Sequence, residues 1–202
     1  MWVRVENANQ CYRVARLNLI VSATQIPAGT HWDFIQCDYY VSPSNTDTDG
    51  IANFDFSSVT TQIQGLLPTT AAYTITYYKN EADALAEVDT NGNSLAITNT
   101  ANYMNVGYPN VQQIWVRVDS NVDNACFGLG PYITLTVQAL PTLHTVGTNN
   151  VIRHCDDDQD GSYTFNTSSL ESTILQGQTN VNISYTTSAG TSISSPFHPT
   201  LS

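Results

Sequence analysis

The chain has 202 residues, with 17 acidic against 6 basic side chains, a formal charge of −11 and 41% hydrophobic residues. That charge repels phosphate backbones and anionic lipid, which argues against nucleic acid and membrane surfaces as partners and leaves cations as the natural counterpart. No run approaches the roughly 20 apolar residues needed to span a bilayer, so no membrane insertion is expected. Met1 is followed by Trp-Val-Arg-Val-Glu rather than by a basic and then apolar leader, so any targeting segment is expected outside this chain.

The apolar residues lie in short runs among Thr, Ser and Asn, the texture of an all-β protein. From the first residue, Trp2-Val-Arg-Val recurs as Trp115-Val-Arg-Val, 113 residues on. Each copy is followed by a polar turn, a cysteine, an aromatic residue and an alternating strand, LNLIV at 17–21 and ITLTV at 133–137. Further on, Cys37-Asp38 answers Cys155-Asp156, DTDG at 47–50 answers DQDG at 158–161, and YTITYY at 73–78 answers VNISYT at 181–186. So many landmarks in one order mark an internal repeat of about one immunoglobulin-sized domain.

Within the period, strands are predicted at 51–56, 73–78, 114–118 and 133–138, separated by Gly, Pro, Asn and Asp. Only EADALAEV at 81–88 reads as helix. Pro27 and Pro141 follow the last strand of each unit and mark junctions. The expected architecture is all-β, with tandem immunoglobulin-like β-sandwich modules, one complete and two partial. Residues 1–26 form the closing hairpin of a preceding module, 27–140 a complete module, and 141–202 the opening half of a following one. Trp2 and Trp115, at one repeat position, are expected in the sandwich cores.

The segment CDDDQDG, Cys155 to Gly161, concentrates four aspartates. Asp156, Asp158, Asp160 and Gly161 have the spacing D-x-D-x-D-G, in which alternate side chains of a tight loop aim oxygens at one centre, as calcium requires. The other copy reads Asn45-x-Asp47-x-Asp49-Gly50. The carbonyls of Ser162 and Ile51 at position seven, with Asn166 and Asp55 at position eleven, complete the expected Ca2+ ligands. Position twelve is Thr167 or Phe56 rather than glutamate, so neither loop is an EF-hand. The insertion Tyr39 to Ser44 is expected to carry Asp38 away from the second loop. A solvated acidic turn is the alternative for both.

Cys11, Cys37, Cys126 and Cys155 contain no CxxC pair, so zinc is a poor reading, and the even count in an acidic, Lys-poor β chain favours disulfides and an oxidising compartment. In a sandwich, the first strand begins at the same end as the final hairpin turn, which predicts a Cys37–Cys126 bridge within the central module. Cys11–Cys37 is disfavoured, because the strand after Cys11 carries the chain tens of ångströms away at about 3.3 Å per residue. Complementary half-modules predict a composite module built from the two ends, either between chains, with Cys155 of one bridged to Cys11 of the next, or within one longer repeat polypeptide.

No catalytic motif stands out. His31, His144, His154 and His198 do not recur in the other copy, no nucleophile motif is present, and Glu81 with Asp83, spaced as paired carboxylates could be, reads as a solvated turn or an extra calcium ligand. The chain is therefore expected not to be an enzyme. Trp32 and Tyr39-Tyr40 read as contacts at a module junction or as an aromatic platform for a surface glycan, so a glycan- or ligand-binding module is the alternative function.

The cysteine, Asp-rich loop and Phe-Asp pair, then YTITYY with N-E-A-D-A, then IWVRV with a cysteine hairpin, resemble the tandem extracellular repeats of large Bacteroidetes cell-surface adhesins. Those proteins resemble gliding-motility-associated, type IX-secreted adhesins. The resemblance covers essentially the whole chain, and the third copy departs from it after Tyr185, where TTSAGTS replaces YKNEADA. It implies an extracellular, calcium-bearing stalk or filament at the cell surface, a rigid spacer whose partners are neighbouring copies of the same repeat.

Overall fold

The computed structural model describes residues 1–19, 24–39, 42–69, 72–122, 125–148 and 151–194. Two compact units divide the chain, Met1–Ala139 and Leu140–Ser202. The fold is all-β, although its second layer is not the facing sheet of an immunoglobulin domain.

Unit one opens with strands β1 (Trp2–Glu6) and β2 (Tyr12–Arg16), an antiparallel hairpin whose ten strand residues are all exposed. The strand expected over 17–21 does not form at 17–19, and 20–21 lie outside the described residues. Next come β3 (Trp32–Cys37), β4 (Asn53–Phe54), α1 (Ser58–Leu66), β5 (Tyr73–Tyr78), α2 (Glu81–Ala86), β6 (Tyr103–Met104), β7 (Val111–Ser120) and β8 (Cys126–Gln138). A four-stranded sheet has the order β3-β8-β7-β5, antiparallel except for the parallel β3–β8 edge. Strict alternation in β7 buries Ile114, Val116 and Val118, and β8 buries Ile133, Leu135 and Val137 on the same core. This is the period-two signature of a sheet with one face covered.

Two elements cover that face. The β4–β6 pair brings in Phe54 and Tyr103, and α1 brings in Val59 and Ile63. Phe56 sits among Phe34, Tyr77 and Tyr103, with ring centroids 5.6–6.4 Å apart. The strand expected over 51–56 is confined to 53–54 because the Phe56 N–H turns to Thr100 O and the chain enters α1. The predicted helix at 81–88 is α2, capped by Asn80, whose side-chain oxygen accepts the Asp83 N–H at 2.9 Å.

The shared tryptophan does not belong to the core. Trp115 lies on the face of β7 opposite Ile114 and Val116, and Trp2 is exposed. On Trp115's face, Arg117 donates to Asp119 at 2.6 Å, to Glu87 at 3.0 Å and to Ala84 O at 3.2 Å, fastening α2 to the outside of the sheet. The WVRV repeat therefore places valines inward and its Trp and Arg outward, the reverse of the expectation for Trp. In the hairpin, Arg4 repeats the pattern with Glu6 at 2.9 Å and lies over the Tyr12 ring at 3.9 Å.

Unit two contains α3 (Ser168–Leu175) and the short pair β9 (Tyr185–Thr186) and β10 (Ser192–Ile193). Of VNISYT at 181–186, the counterpart of β5, only Tyr185–Thr186 is strand. A cleft of about 420 Å³ is lined by Leu143, Ile174, Leu175, Val181, Ile183 and Tyr185, among others.

Candidate metal centre

The loop of unit two folds around its own carboxylates. Asp156 Oδ2 accepts the Gly161 N–H at 2.9 Å, Asp158 Oδ1 accepts the Asp160 N–H at 3.3 Å, and Asp160 Oδ1 accepts both the N–H and the hydroxyl of Ser162 at 2.8 Å. Gly161 has φ +80°, a backbone region that side chains with a Cβ rarely adopt. One oxygen from each of Asp156, Asp158 and Asp160 lies within 4.8 Å of the others. Two oxygens bound to a single calcium at about 2.3–2.6 Å are at most about 5 Å apart, so this spread fits one coordination sphere. The three side chains are exposed. The Ser162 hydroxyl and N–H hold the Asp160 carboxyl below its ordinary value, which keeps it in the ligand form.

Behind the loop, His154 stacks on Tyr163 with centroids 3.6 Å apart, and Tyr163 meets Phe165 edge-on at 4.9 Å. Asn166, expected as a supplementary ligand, is exposed.

The central copy is arranged differently. Asp49 Oδ1 accepts the Ile51 N–H at 2.9 Å, as Asp160 does from Ser162, and its Oδ2 accepts the Thr46 N–H at 2.9 Å. These bonds, led by that from Thr46, lower the Asp49 carboxyl. Asn45, expected as the first ligand, turns its Oδ1 to the Ser42 and Ser44 hydroxyls at 3.2 and 3.4 Å and points Nδ2 at Asp49. Its oxygen therefore faces away from the carboxylates. Asp55 opens α1 instead, accepting the hydroxyl and N–H of Ser57 at 2.7 and 3.0 Å. Asp47 is exposed. Among the described residues, only the Asp156–Asp158–Asp160 set gathers three such ligand groups.

Asp38 corrects the expectation in the other direction. The insertion does not remove it from the loop: its Oδ2 accepts the Gly50 N–H at 2.8 Å, the counterpart of the Asp156–Gly161 bond. Gly50 is fixed from the opposite side as well. A Cβ there would meet Asn110 Oδ1 at 2.6 Å and Asn110 N at 2.7 Å, and Gly50 O accepts from Asn105 Nδ2 and from Asn110 N, both at 2.9 Å.

The cysteines also differ from expectation. Cys37 ends β3 opposite Gln138, whereas Cys126 begins β8 opposite Asp119. The twelve residue steps of β8 between those positions span roughly 40 Å at about 3.3 Å each, while bridged Cα atoms lie within about 7 Å. The parallel β3–β8 pairing thus sets the two sulfurs at opposite ends of the module and excludes a Cys37–Cys126 bridge within it. Cys11 lies at the turn of the β1–β2 hairpin, and Cys11, Cys37 and Cys155 are exposed.

Of the aromatic positions considered for a glycan platform, Trp32 packs against the core and donates its indole N–H to Gln62 at 2.6 Å. Tyr39 is exposed, while Tyr40 and His198 lie outside the described residues. A family model described as the Flavobacterium inter-domain disulphide bond domain matches residues 33–141. No curated protein and no solved structure matches the chain.

Proposed function

Because the chain belongs to the Flavobacterium inter-domain disulphide bond domain family, we propose that it is a structural repeat of a secreted cell-surface adhesin or filament, a calcium-stabilised spacer linked to its neighbours by disulfides. The single observation that carries this reading is the separation of Cys37 and Cys126 to the two ends of one module. The chain enters where Thr24 Oγ1 donates to Phe127 O at 3.0 Å, beside Cys126, and it leaves at Gln138, beside Cys37. A tandem array of such modules sets the exit end of one against the entry end of the next. Cys37 then faces the counterpart of Cys126 in the following module. Such bridges persist in oxidising surroundings, in keeping with an extracellular location.

Neighbouring copies are the proposed partners. In the hairpin, Val5 is 71% exposed, whereas its repeat counterpart Val118 is fully buried between β5 and β8. A two-stranded ribbon with unpaired edges is marginal by itself and is a template for strand addition. Pairing with the strands of another copy would cover it, and such a head-to-tail contact propagates instead of closing. The resemblance to gliding-motility-associated adhesins of Bacteroidetes supports reading this spacer as part of a long surface protein. We assign it no catalytic activity.

The test is oxidation of the full chain followed by a non-reducing gel and peptide mapping. Covalent oligomers that disappear with Cys37→Ser support the reading. A monomer yielding a Cys37–Cys126 linked peptide rejects it.

A further inference from the structure

Asp38 directly follows β3, is only 3% exposed, and aims its carboxylate into the 47–50 loop. Its Oδ2 is occupied by the Gly50 N–H, but among the described residues no donor reaches its Oδ1. A buried carboxylate oxygen without a partner is costly unless a proton or a cation covers it.

The other copy indicates what covers it. Asp156 bonds Gly161 as Asp38 bonds Gly50, and Asp160 bonds Ser162 as Asp49 bonds Ile51. The two bonds to glycine span 12 and 5 residues, so 12 − 5 = 7 additional residues loop out while the register of both aspartates is kept. Asp38, and not Asn45, is therefore the structural counterpart of Asp156. Asp47 makes no hydrogen bond among the described residues, so its carboxylate is available to turn inward.

We propose that the central module holds a divalent cation of calcium's class, with Asp38 Oδ1 as its buried ligand and Asp47 and Asp49 as the loop carboxylates that close over it. The assignment rests on the calcium reading of the Asp-rich loops and adds a ligand which that reading lacked. Hard oxygen donors, two of them on a loop able to adjust, suit calcium, and waters fill its remaining positions.

The full chain, stripped with chelator, is titrated with Ca2+ by calorimetry and melted with and without the ion. Wild type is expected to bind two ions. Asp38→Asn should lose one and Asp158→Asn the other. The amide of Asp38→Asn keeps an acceptor for Gly50 and removes the buried charge, but its own N–H2 replaces an oxygen that has no partner, so its melt in chelator serves as the baseline. Calcium should raise the melt of wild type by more than that of Asp38→Asn, because only wild type gains from the ion at this site. Asp47→Asn should weaken that site by about tenfold without moving the melt in chelator. Unchanged stoichiometry in Asp38→Asn overturns the proposal while leaving the unit-two site standing. A melt lowered equally with and without calcium makes Asp38 purely structural and also overturns it. If wild type binds no ion, both readings fall.

Discussion

Asn105 shows how much one side chain decides here. Fully buried, it accepts the Ala52 N–H at 2.8 Å and donates to Gly50 O and Tyr108 O, joining the acidic loop to the segment ahead of β7. Asn105→Ala leaves the Ala52 N–H and Tyr108 O without these partners, and each unmade buried bond costs about 1–3 kcal/mol. Urea unfolding should show a loss of about 2–4 kcal/mol with an unchanged m-value. At Gly50, φ is +72° and a Cβ would abut Asn110, so Gly50→Ala combines left-handed strain with a clash and should cost about 2–4 kcal/mol in the same assay. The sequence made Gly50 legible, since D-x-D-G demands a sharp turn. Asp38 was not legible, because the seven looped-out residues break the spacing on which motif reading depends. Asn45 fits a ligand by its identity, but nearby serine hydroxyls compete for its oxygen.

At the scale of elements, β5, β7, β8 and α2 were readable because alternation or an Asn cap with a run of helix formers is written locally. Helix α1 was not. Its Thr60 and Thr61 are β-branched and favour strands, and the helix exists because Val59, Ile63 and Leu67, four residues apart, all reach the core. Tertiary burial overrides a weak propensity. Ile63→Ala should therefore cost about 2–5 kcal/mol, while Gln64→Ala at an exposed position of the same helix should change little; thermal melts of both separate packing from helix propensity. The parallel β3–β8 edge was equally hidden, because no local pattern states which strand a neighbour will be, and the mistaken cysteine pairing followed from it.

For the molecule as a whole, charge sets the pH limits. Asp49, Asp55, Asp89 and Asp160 lie below the ordinary carboxylate value of 3.8, their leading causes being bonds from the Thr46 N–H, the Ser57 hydroxyl, the Asn93 side chain and the Ser162 hydroxyl. A carboxyl lowered in the folded state contributes stability that is present above its unfolded value and lost as pH falls through the folded one. Burial raises Tyr77 and Tyr103 above 10.0, so their contribution is present below that value and lost as pH rises through the folded one. The melting temperature should hold across the neutral range, decline below about pH 4 and decline again above about pH 10. A melt that rises on acidification through pH 4 contradicts the acid half of this account.

The parallel edge has a mechanical meaning. The chain enters the module ahead of β3 and leaves at the end of β8, and the two strands run side by side from Trp32–Ile133 to Cys37–Gln138. Tension applied to the chain at the two ends of the module pulls these strands past one another along their length, in shear. The rungs of hydrogen bonds between them share the load and must yield together, whereas a hairpin peeled from its open end yields one rung at a time. A module stretched between residues 24 and 139 should thus rupture at a higher force than the same module pulled across the β5–β7 edge. Single-molecule stretching along the two directions measures that contrast, and equal rupture forces would show that the β3–β8 clamp bears no special share of the strain.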